Sequence, residues 1–299
     1  MAFASLYDFE LFTACSRHIR FISQIFIDLP DEKDYIMDMV DLELWKFRDI
    51  HFDPVPHKYT DSLGTNFTSV TTWVHNFSPP QDWDEIARRS AAKNGCTPEE
   101  LRAKWKRAGD YSCALGTEVH AYMENLMQHK RYIPHFDPQY PEMESDYNSR
   151  IPVCNNAFYQ ITQKYVPVRE ELIVYNSAWK LCGTIDLLAY NTETGQFAIL
   201  DYKTNKEIKK DNPWQRMCSP FVEFPDCNYY HYSLQLSTYK AIIEKATTLR
   251  IGDLMLIHIT AGGVTMIPCI DFSRTVRQIL ETNPLDKKTF TDIQSVEIR

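Results

Sequence analysis

The sequence lacks the long apolar runs and the basic leader that membrane and secreted proteins carry. No apolar run reaches the ~18–20 residues that a membrane helix requires. The first residues, MAFASLYDFELF, include acids where a secretory signal has basic residues. These absences predict a soluble, intracellular protein with no membrane partner.

Cysteine pairs, sequence repeats and low-complexity segments are absent as well. Eight cysteines are spread along the chain without a CxxC pair, which argues against a disulfide scaffold. The closest metal-like cluster is Cys218, Cys227 and His231. A zinc site there is the alternative to reduced, mostly buried thiols, which we expect because structural zinc favours closer pairs.

The acidic net charge is unevenly distributed. The 299 residues carry a formal charge of -8, yet residues 1–57 alone hold 11 acids and 5 bases. Residues 88–107 have seven bases against two acids, and residues 203–216 have five against two. A groove needs only local positive charge, so a polyanionic partner is not excluded. The alternative is that each basic run is a solvated face.

Hydrophobic periodicity divides the chain into a helical first part and a strand-rich second part. Helices are predicted over 1–48 (divided near Pro30), 69–76, 82–93, 97–108, 115–129 and 146–164 (broken near Pro152), with a loop over 51–66. Strands are predicted over 171–175, 181–190, 197–202, 254–260 and 264–270, with helices over 231–245 and 272–282. This order predicts an α/β or α+β fold in which helices flank a central mixed sheet, with an acidic helical extension at residues 1–50.

A predicted hairpin brings two carboxylates together. If the turn in Asn191–Gly195 centres near 193/194, Asp186 lies opposite Asp201, with Cβ atoms about 4.5–5.5 Å apart. Such a pair requires a cation or a shared proton, and oxygen-rich sites suit Mg²⁺ or Mn²⁺. Lys203 lies two residues beyond Asp201 on the same strand face. A surface salt bridge is the alternative for Asp201 and Lys203, but it does not explain Asp186 within an apolar run.

Two predicted helices add polar pairs at helical spacing. His120 and Glu124 are four residues apart, as are Gln235 and Tyr239, so each pair shares one helix face. Packing or surface roles are the alternative for both pairs.

Four motifs in order, spread over about 125 residues, resemble the RecB-like branch of the PD-(D/E)XK nucleases. The motifs are Gly116-Thr117-x-x-His120-x-x-x-Glu124, Gly183-Thr184-Ile185-Asp186, Leu200-Asp201-Tyr202-Lys203-Thr204 and Gln235-Leu236-x-x-Tyr239. The segment from His57-x-Tyr59 to Ser69-Val70-Thr71-Thr72 is similar to the region before the core in phage, large-DNA-virus and mitochondrial single-domain exonucleases of this branch. The resemblance covers roughly residues 51–282. It implies a restriction-endonuclease-like core and a nuclease domain over 51–299, with a helical DNA-binding part (about 51–165) and a catalytic sheet core (about 166–285).

The resemblance also implies roles for individual residues. One or two Mg²⁺ or Mn²⁺ ions would be bound by Asp186, Asp201 and the Tyr202 carbonyl, with His120 as a ligand or neighbour. Lys203 would position the nucleophilic water. Glu171 matches the acidic residue of the preceding strand, with Glu170 as the alternative. Gln235 and Tyr239 would support the site or contact the DNA backbone. No C-terminal cysteine cluster exists for an iron–sulfur cluster.

Basic and aromatic residues supply candidate contacts to nucleic acid. A helix over 97–108 would line a single-strand channel by charge and stacking, unless its aromatic residue belongs to the core. The candidates are Lys104, Trp105, Lys106, Arg107 and, after the catalytic strand, Lys206.

The implied function is metal-dependent hydrolysis of DNA phosphodiester bonds that leaves a 5′-phosphate. We expect an exonuclease that acts on duplex ends or single strands in replication, recombination or repair. Its expected location is the cytoplasm or nucleus, including that of a virus-infected cell. The alternatives are an RNA-cleaving or endonucleolytic member of the fold, and a catalytically dead module for DNA binding or assembly. Residues 1–50 would dock replication or recombination proteins, cover the groove, or serve as a helical buttress. The sequence leaves the oligomeric state open.

Overall fold

The computed structural model describes residues 40–53 and 58–282. It begins with a helical segment over 40–44 and a 3₁₀ turn at Trp45–Phe47. Val40, Leu44 and Phe47 pack into the main hydrophobic core. The predicted helices over 1–39, and therefore most of the acidic extension, lie outside the described residues.

The described chain is a mixed α/β fold built on one eight-stranded sheet. The strands are β1 (His51–Asp53), β2 (Lys58–Thr60), β3 (Asn66–Ser69), β4 (Tyr165–Asn176), β5 (Leu181–Asn191), β6 (Gln196–Lys203), β7 (Ile251–Thr260) and β8 (Gly263–Pro268). The helices are α1 (Val70–His75), α2 (Trp83–Asn94), α3 (Pro98–Met127), α4 (Met143–Lys164), α5 (Asn228–Ala246) and α6 (Ser273–Thr282). Among the described residues, no helix combines the length and the apolar character that a bilayer span requires.

Strand β5 is the centre of the sheet. β4 pairs with it antiparallel along its length, while β3 (parallel) pairs near its start and β6 (antiparallel) pairs near its end. β6 then pairs in parallel with β7, which forms a hairpin with β8. The β5–β6 register, for example Leu187 opposite Leu200, is the one predicted from the turn.

Helices cover both faces of this sheet. On one face, α3 and α4 bury side chains such as Val119, Met123 and Ile161 against β5, β6 and β7. On the other, α1, α5 and α6 bury residues such as Trp73 and Leu236. The predicted mixed sheet flanked by helices is therefore confirmed for the described residues.

Two predicted helix breaks do not occur. The helices predicted over 97–108 and 115–129 are one 30-residue helix, α3, which is capped by Thr97 and Glu100. Gly109 lies inside it, where glycine costs about 1 kcal/mol relative to alanine, but the burial of Leu101, Val119 and Met123 outweighs that cost. Gly116 likewise lies inside α3.

Helix α4 likewise continues through Pro152. A proline removes one backbone hydrogen bond and normally kinks or breaks a helix. Here Tyr147, Cys154, Ala157 and Ile161, on both sides of the proline, are buried in one core cluster. Tertiary packing therefore holds the helix together across Pro152.

The sheet is larger than predicted. Strands β1, β2 and the first residue of β3 lie within residues 51–66, where the prediction had a loop. β4 begins at Tyr165 rather than at 171. The prediction missed its first residues because the charged segment Arg169–Glu171 interrupts the run of apolar residues that indicates a strand. Since β3 pairs with β5, the sheet draws strands from both of the predicted parts of the domain.

A close approach at Gly183 gives a stability prediction. A Cβ at this position of β5 would lie 2.7 Å from Cε1 of Tyr239 on α5, whose ring is buried. We expect Gly183→Ala to lower the free energy of unfolding by about 1–3 kcal/mol. Gly109→Ala is the matched control: its Cβ meets nothing within 4 Å, so we expect stabilisation by about 0.5–1 kcal/mol. Urea unfolding measures both, and equal effects would contradict the packing argument.

Candidate metal and phosphate site

Three carboxylates line up across neighbouring strands of the sheet. Glu170 pairs with Leu187 and Leu172 pairs with Ile185, so the register places Glu171 opposite Asp186. The β5–β6 pairs end at Leu187 opposite Leu200, and continuing that register by one residue places Asp186 opposite Asp201. The predicted juxtaposition of Asp186 and Asp201 is therefore present, with a third acid on β4.

Asp186 is the centre of this row. The backbone N–H of Tyr202 donates to its Oδ2 at 2.6 Å, and Nδ1 of His120 on α3 lies 3.4 Å from the same oxygen. Burial raises the pKa of Asp186, but the charge and hydrogen bond of His120, with Lys203 and the Tyr202 N–H, hold the pKa below its ordinary value. Burial lowers the pKa of His120, and Asp186 more than reverses that effect. Each of the two groups therefore favours the charged form of the other.

Asp201 and Lys203 form a second buried pair. Lys203 Nζ lies 2.6 Å from Asp201 Oδ2, and only 3% of Asp201 is exposed. Burial raises the pKa of Asp201 to about 6; Lys203 opposes this rise and Asp186 adds to it. Burial lowers the pKa of Lys203, but Asp201 and Asp186 raise it above its ordinary value, so the ammonium stays charged. The ring of Tyr232 lies 4.4 Å from Nζ and adds a cation–π contact.

Glu171 stands in an unusual backbone conformation. Its φ of 45° is in the left-handed region, which a non-glycine residue rarely adopts inside a strand. Although its side chain is exposed, desolvation by the surrounding protein and the charge of Asp186 raise its pKa to about 7. Strained backbone of this kind concentrates at functional sites.

The donor set fits a divalent cation. Ligand atoms of His120, Glu171 and Asp186 all lie within 4.8 Å of one another. Among the residues that the structure describes, this is the one group of three His, Cys, Asp or Glu ligands that meets that distance, and it contains Glu171 rather than Glu170. Two carboxylates and an imidazole suit Mn²⁺ and tolerate Mg²⁺. Asp201, a predicted ligand, is not in this group, and its carboxylate contacts Lys203 instead. The Tyr202 carbonyl stays a predicted ligand.

Gln235 and Tyr239 lie behind the site rather than in it. Gln235 Nε2 donates to the Tyr239 hydroxyl at 3.1 Å, and the Tyr239 ring packs on Gly183 of the motif that carries Asp186. Thr184 in the same motif contacts the Tyr59 hydroxyl at 3.2 Å. These contacts fix β5 just before Asp186, which favours a supporting role for the pair.

A cleft of about 630 Å³ opens beside the site. His120, Lys203 and the predicted contact residue Lys206 line it. Gly116 on α3 also belongs here, since a Cβ at this position would lie 3.2 Å from Thr204 Oγ1. The glycine lets α3 approach the end of β6 closely.

The predicted contact residues on the first half of α3 lie elsewhere. Lys104, Trp105, Lys106 and Arg107 do not line the cleft. Lys106 pairs with Asp110 and Arg107 with Glu142, so two of the three cations are already neutralised. Trp105 is 38% exposed, which agrees neither with a core role nor with a fully displayed stacking surface.

The zinc alternative finds no support among the described residues. His231 Nε2 lies 2.6 Å from Asp226 Oδ1 and 3.1 Å from Ser78 Oγ, while Cys227 is buried and Cys218 partly buried. No ligand group that includes these cysteines meets the distance criterion in the described part of the chain. The seven cysteines there are unpaired, as expected, but only Cys154, Cys182 and Cys227 are buried, so the expectation of mostly buried thiols was wrong for the described residues.

Sequence reasoning missed two residues of this region. Tyr232, beside Lys203, lies in an aromatic run that gave no sign of which ring faces the site. Arg150 on α4 lines the cleft, but no motif contains it, and only the packing of α4 against α3 brings it there.

Comparison with known proteins adds no identification. No protein-family model matches the chain, and no curated protein matches it at a significant level.

Proposed function

We propose that this protein is a metal-dependent nuclease of the RecB-like branch of the PD-(D/E)XK superfamily, and that it hydrolyses DNA phosphodiester bonds. One observation carries the proposal: a His–Glu–Asp ligand group lies next to a buried Asp201–Lys203 pair, and His120 and Lys203 of these two groups line one cleft. Carboxylates alone fit many roles. Carboxylates with a charged lysine two residues along the same strand fit phosphodiester hydrolysis.

His120, Glu171 and Asp186 would hold a Mg²⁺ or Mn²⁺ ion, with Asp201 and the Tyr202 carbonyl as further predicted ligands. The bound ion would supply Lewis acidity and a lowered pKa for a water molecule. Lys203, held charged by Asp201 and Asp186, would orient the attacking water and stabilise negative charge on the phosphate. Tyr232 and Asp201 fix the lysine in place from two sides.

The resemblance of the four motifs supports an exonuclease acting on DNA ends or single strands in replication, recombination or repair. The core chemistry is the same for DNA and RNA, because recognition of the 2′-hydroxyl depends on other contacts. Strand state and substrate class therefore need direct measurement.

The test is cleavage of end-labelled linear single-stranded DNA, linear duplex, circular DNA and RNA, each with Mg²⁺, Mn²⁺ or EDTA. Asp201→Ala is assayed alongside. We expect metal-dependent loss of linear DNA, with circles spared and the variant inactive. Nicking of circles would indicate an endonuclease, and preferred loss of RNA a ribonuclease. Binding without any cleavage would overturn the proposal in favour of a dead-core module, and undiminished cleavage by folded Asp201→Ala would overturn the assigned site.

A further inference from the structure

The cleft contains two cations that the proposed chemistry does not use. Arg150 on α4 and Lys206 in the loop after β6 both line it, together with His120 and Lys203. Within the described part of the chain, neither makes an ion pair, whereas Lys203 is paired with Asp201.

Arg150 is only partly satisfied by the protein. Its Nη1 donates to the backbone carbonyl of Asp146 at 2.7 Å. Its Nε is buried, and no described residue accepts a hydrogen bond from it. Since Nε itself is buried, an anion in the cleft would meet the outer nitrogens of the guanidinium. The guanidinium fork matches the oxygens of a phosphate.

The charge around the cleft favours an anion. Its lining includes one carboxylate, Asp146, whose Oδ2 accepts a hydrogen bond from the Tyr111 hydroxyl. Arg150, Lys203 and Lys206 bring three positive groups against it. Lys203 is already paired with Asp201, and Glu171 and Asp186 adjoin the cleft at His120. Arg150 and Lys206 are therefore the cations of the lining that remain for an anion away from those carboxylates.

We propose that Arg150 and Lys206 form a phosphate subsite that holds the nucleic-acid strand next to the phosphate being hydrolysed. This inference rests on the proposed nuclease function, and it names which residues of the cleft bind the strand. The cleft volume of about 630 Å³ lies in the ordinary range for ligand sites, ~300–1,000 Å³. The subsite takes either a terminal 5′-phosphate or an internal phosphodiester, since both present the same oxygens.

The test measures binding of a fluorescein-labelled single-stranded oligonucleotide by anisotropy in EDTA, where no cleavage occurs, across a range of salt concentrations. We expect Arg150→Met and Lys206→Met each to weaken binding about ten-fold and to reduce the salt slope by about 1. Arg88→Met removes the same charge from an exposed residue that is paired with Glu85 outside the cleft, and we expect it to leave affinity nearly unchanged. Lys206 lies on an exposed loop, so its variant folds even if Arg150→Met does not.

Matched oligonucleotides with a 5′-phosphate or a 5′-hydroxyl distinguish the two sources. If the variants lose affinity only for the 5′-phosphorylated oligonucleotide, the subsite binds the strand end. If they lose affinity equally for both oligonucleotides, the subsite binds an internal phosphate. Wild-type affinity and salt slope in folded Arg150→Met and Lys206→Met would overturn the inference. Cleavage by the wild-type protein is assayed separately. If the wild type cleaves DNA but the two variants bind as it does, only the subsite inference fails. If the variants bind more weakly but the wild type cleaves nothing, only the nuclease proposal fails.

Discussion

Replacing Asp186 by Asn is expected to abolish metal-dependent cleavage, with a loss of roughly 10³-fold or more. Asp186 stands between Glu171 and Asp201, and it faces His120 and the Tyr202 N–H. Asn keeps the size of the side chain and an oxygen for the Tyr202 N–H, but it lacks the charge that a divalent cation requires. Cleavage of labelled DNA and the Mn²⁺-induced rise in Tm are both measured, and we expect both to be lost.

The control for this change is Asp253→Asn. Asp253 lies in the same sheet, where its Oδ2 accepts hydrogen bonds from Tyr165 and Asn191 outside the cleft. We expect this variant to lose some stability and to keep Mn²⁺ binding and cleavage. Because His120, Lys203 and Tyr202 lower the pKa of Asp186, its charge stabilises the fold above its unfolded pKa of about 3.8. Asp186→Asn therefore costs stability at neutral pH, and its activity is compared only at temperatures where it is folded.

Metal binding at this site should depend on pH. Burial raises the pKa of Asp201 to about 6, and desolvation with the charge of Asp186 raises that of Glu171 to about 7. A cation must displace these protons, so Mn²⁺ affinity is expected to increase from about pH 5.5 to about pH 8. If Mn²⁺ still raises the Tm of Asp186→Asn, and does so independently of pH, the ion binds elsewhere on the protein.

The local parts of this site could be predicted because they depend on short-range geometry. The turn after β5 set the register that puts Asp186 opposite Asp201, and the period of two placed Lys203 on the face of Asp201. The final hairpin, β7–β8, followed from two apolar runs around Gly262-Gly263.

The remaining parts depend on contacts between distant segments. Glu171 enters the row because β4 pairs with β5 through a register that shifts between Pro167 and Arg169, and no pattern in the sequence indicates that shift. The continuity of α3 depends on burial of its second half, which outweighs Gly109 and Gly116. Arg150 reaches the cleft only because α4 packs beside α3 in one core layer.

Replacing Lys203 by Met is expected to reduce cleavage roughly 10²–10³-fold while Mn²⁺ binding persists. In the proposed mechanism the lysine would contribute positive charge next to the reacting phosphate, and it is not among the three residues that could hold a cation. The change also breaks a buried ion pair, which costs about 3–5 kcal/mol. Rates are therefore compared on variants that are shown to be folded, by single-turnover cleavage with saturating Mn²⁺.

The pH dependence of stability separates the loss of charge from a general packing defect. A carboxyl group whose folded pKa is raised binds its proton more tightly in the native state, so its contribution to stability falls as pH rises through the folded pKa. Lys203 holds the pKa of Asp201 down to about 6, and without the lysine that pKa rises further. Lys203→Met should then lose less stability near pH 5, where Asp201 is protonated and the charge of Asp186 remains, than near pH 8, by urea unfolding. Asp201→Asn combined with Lys203→Met removes both charges and should abolish this difference. A pH-independent loss of stability, or wild-type cleavage by the folded single variant, would contradict the role given to Lys203.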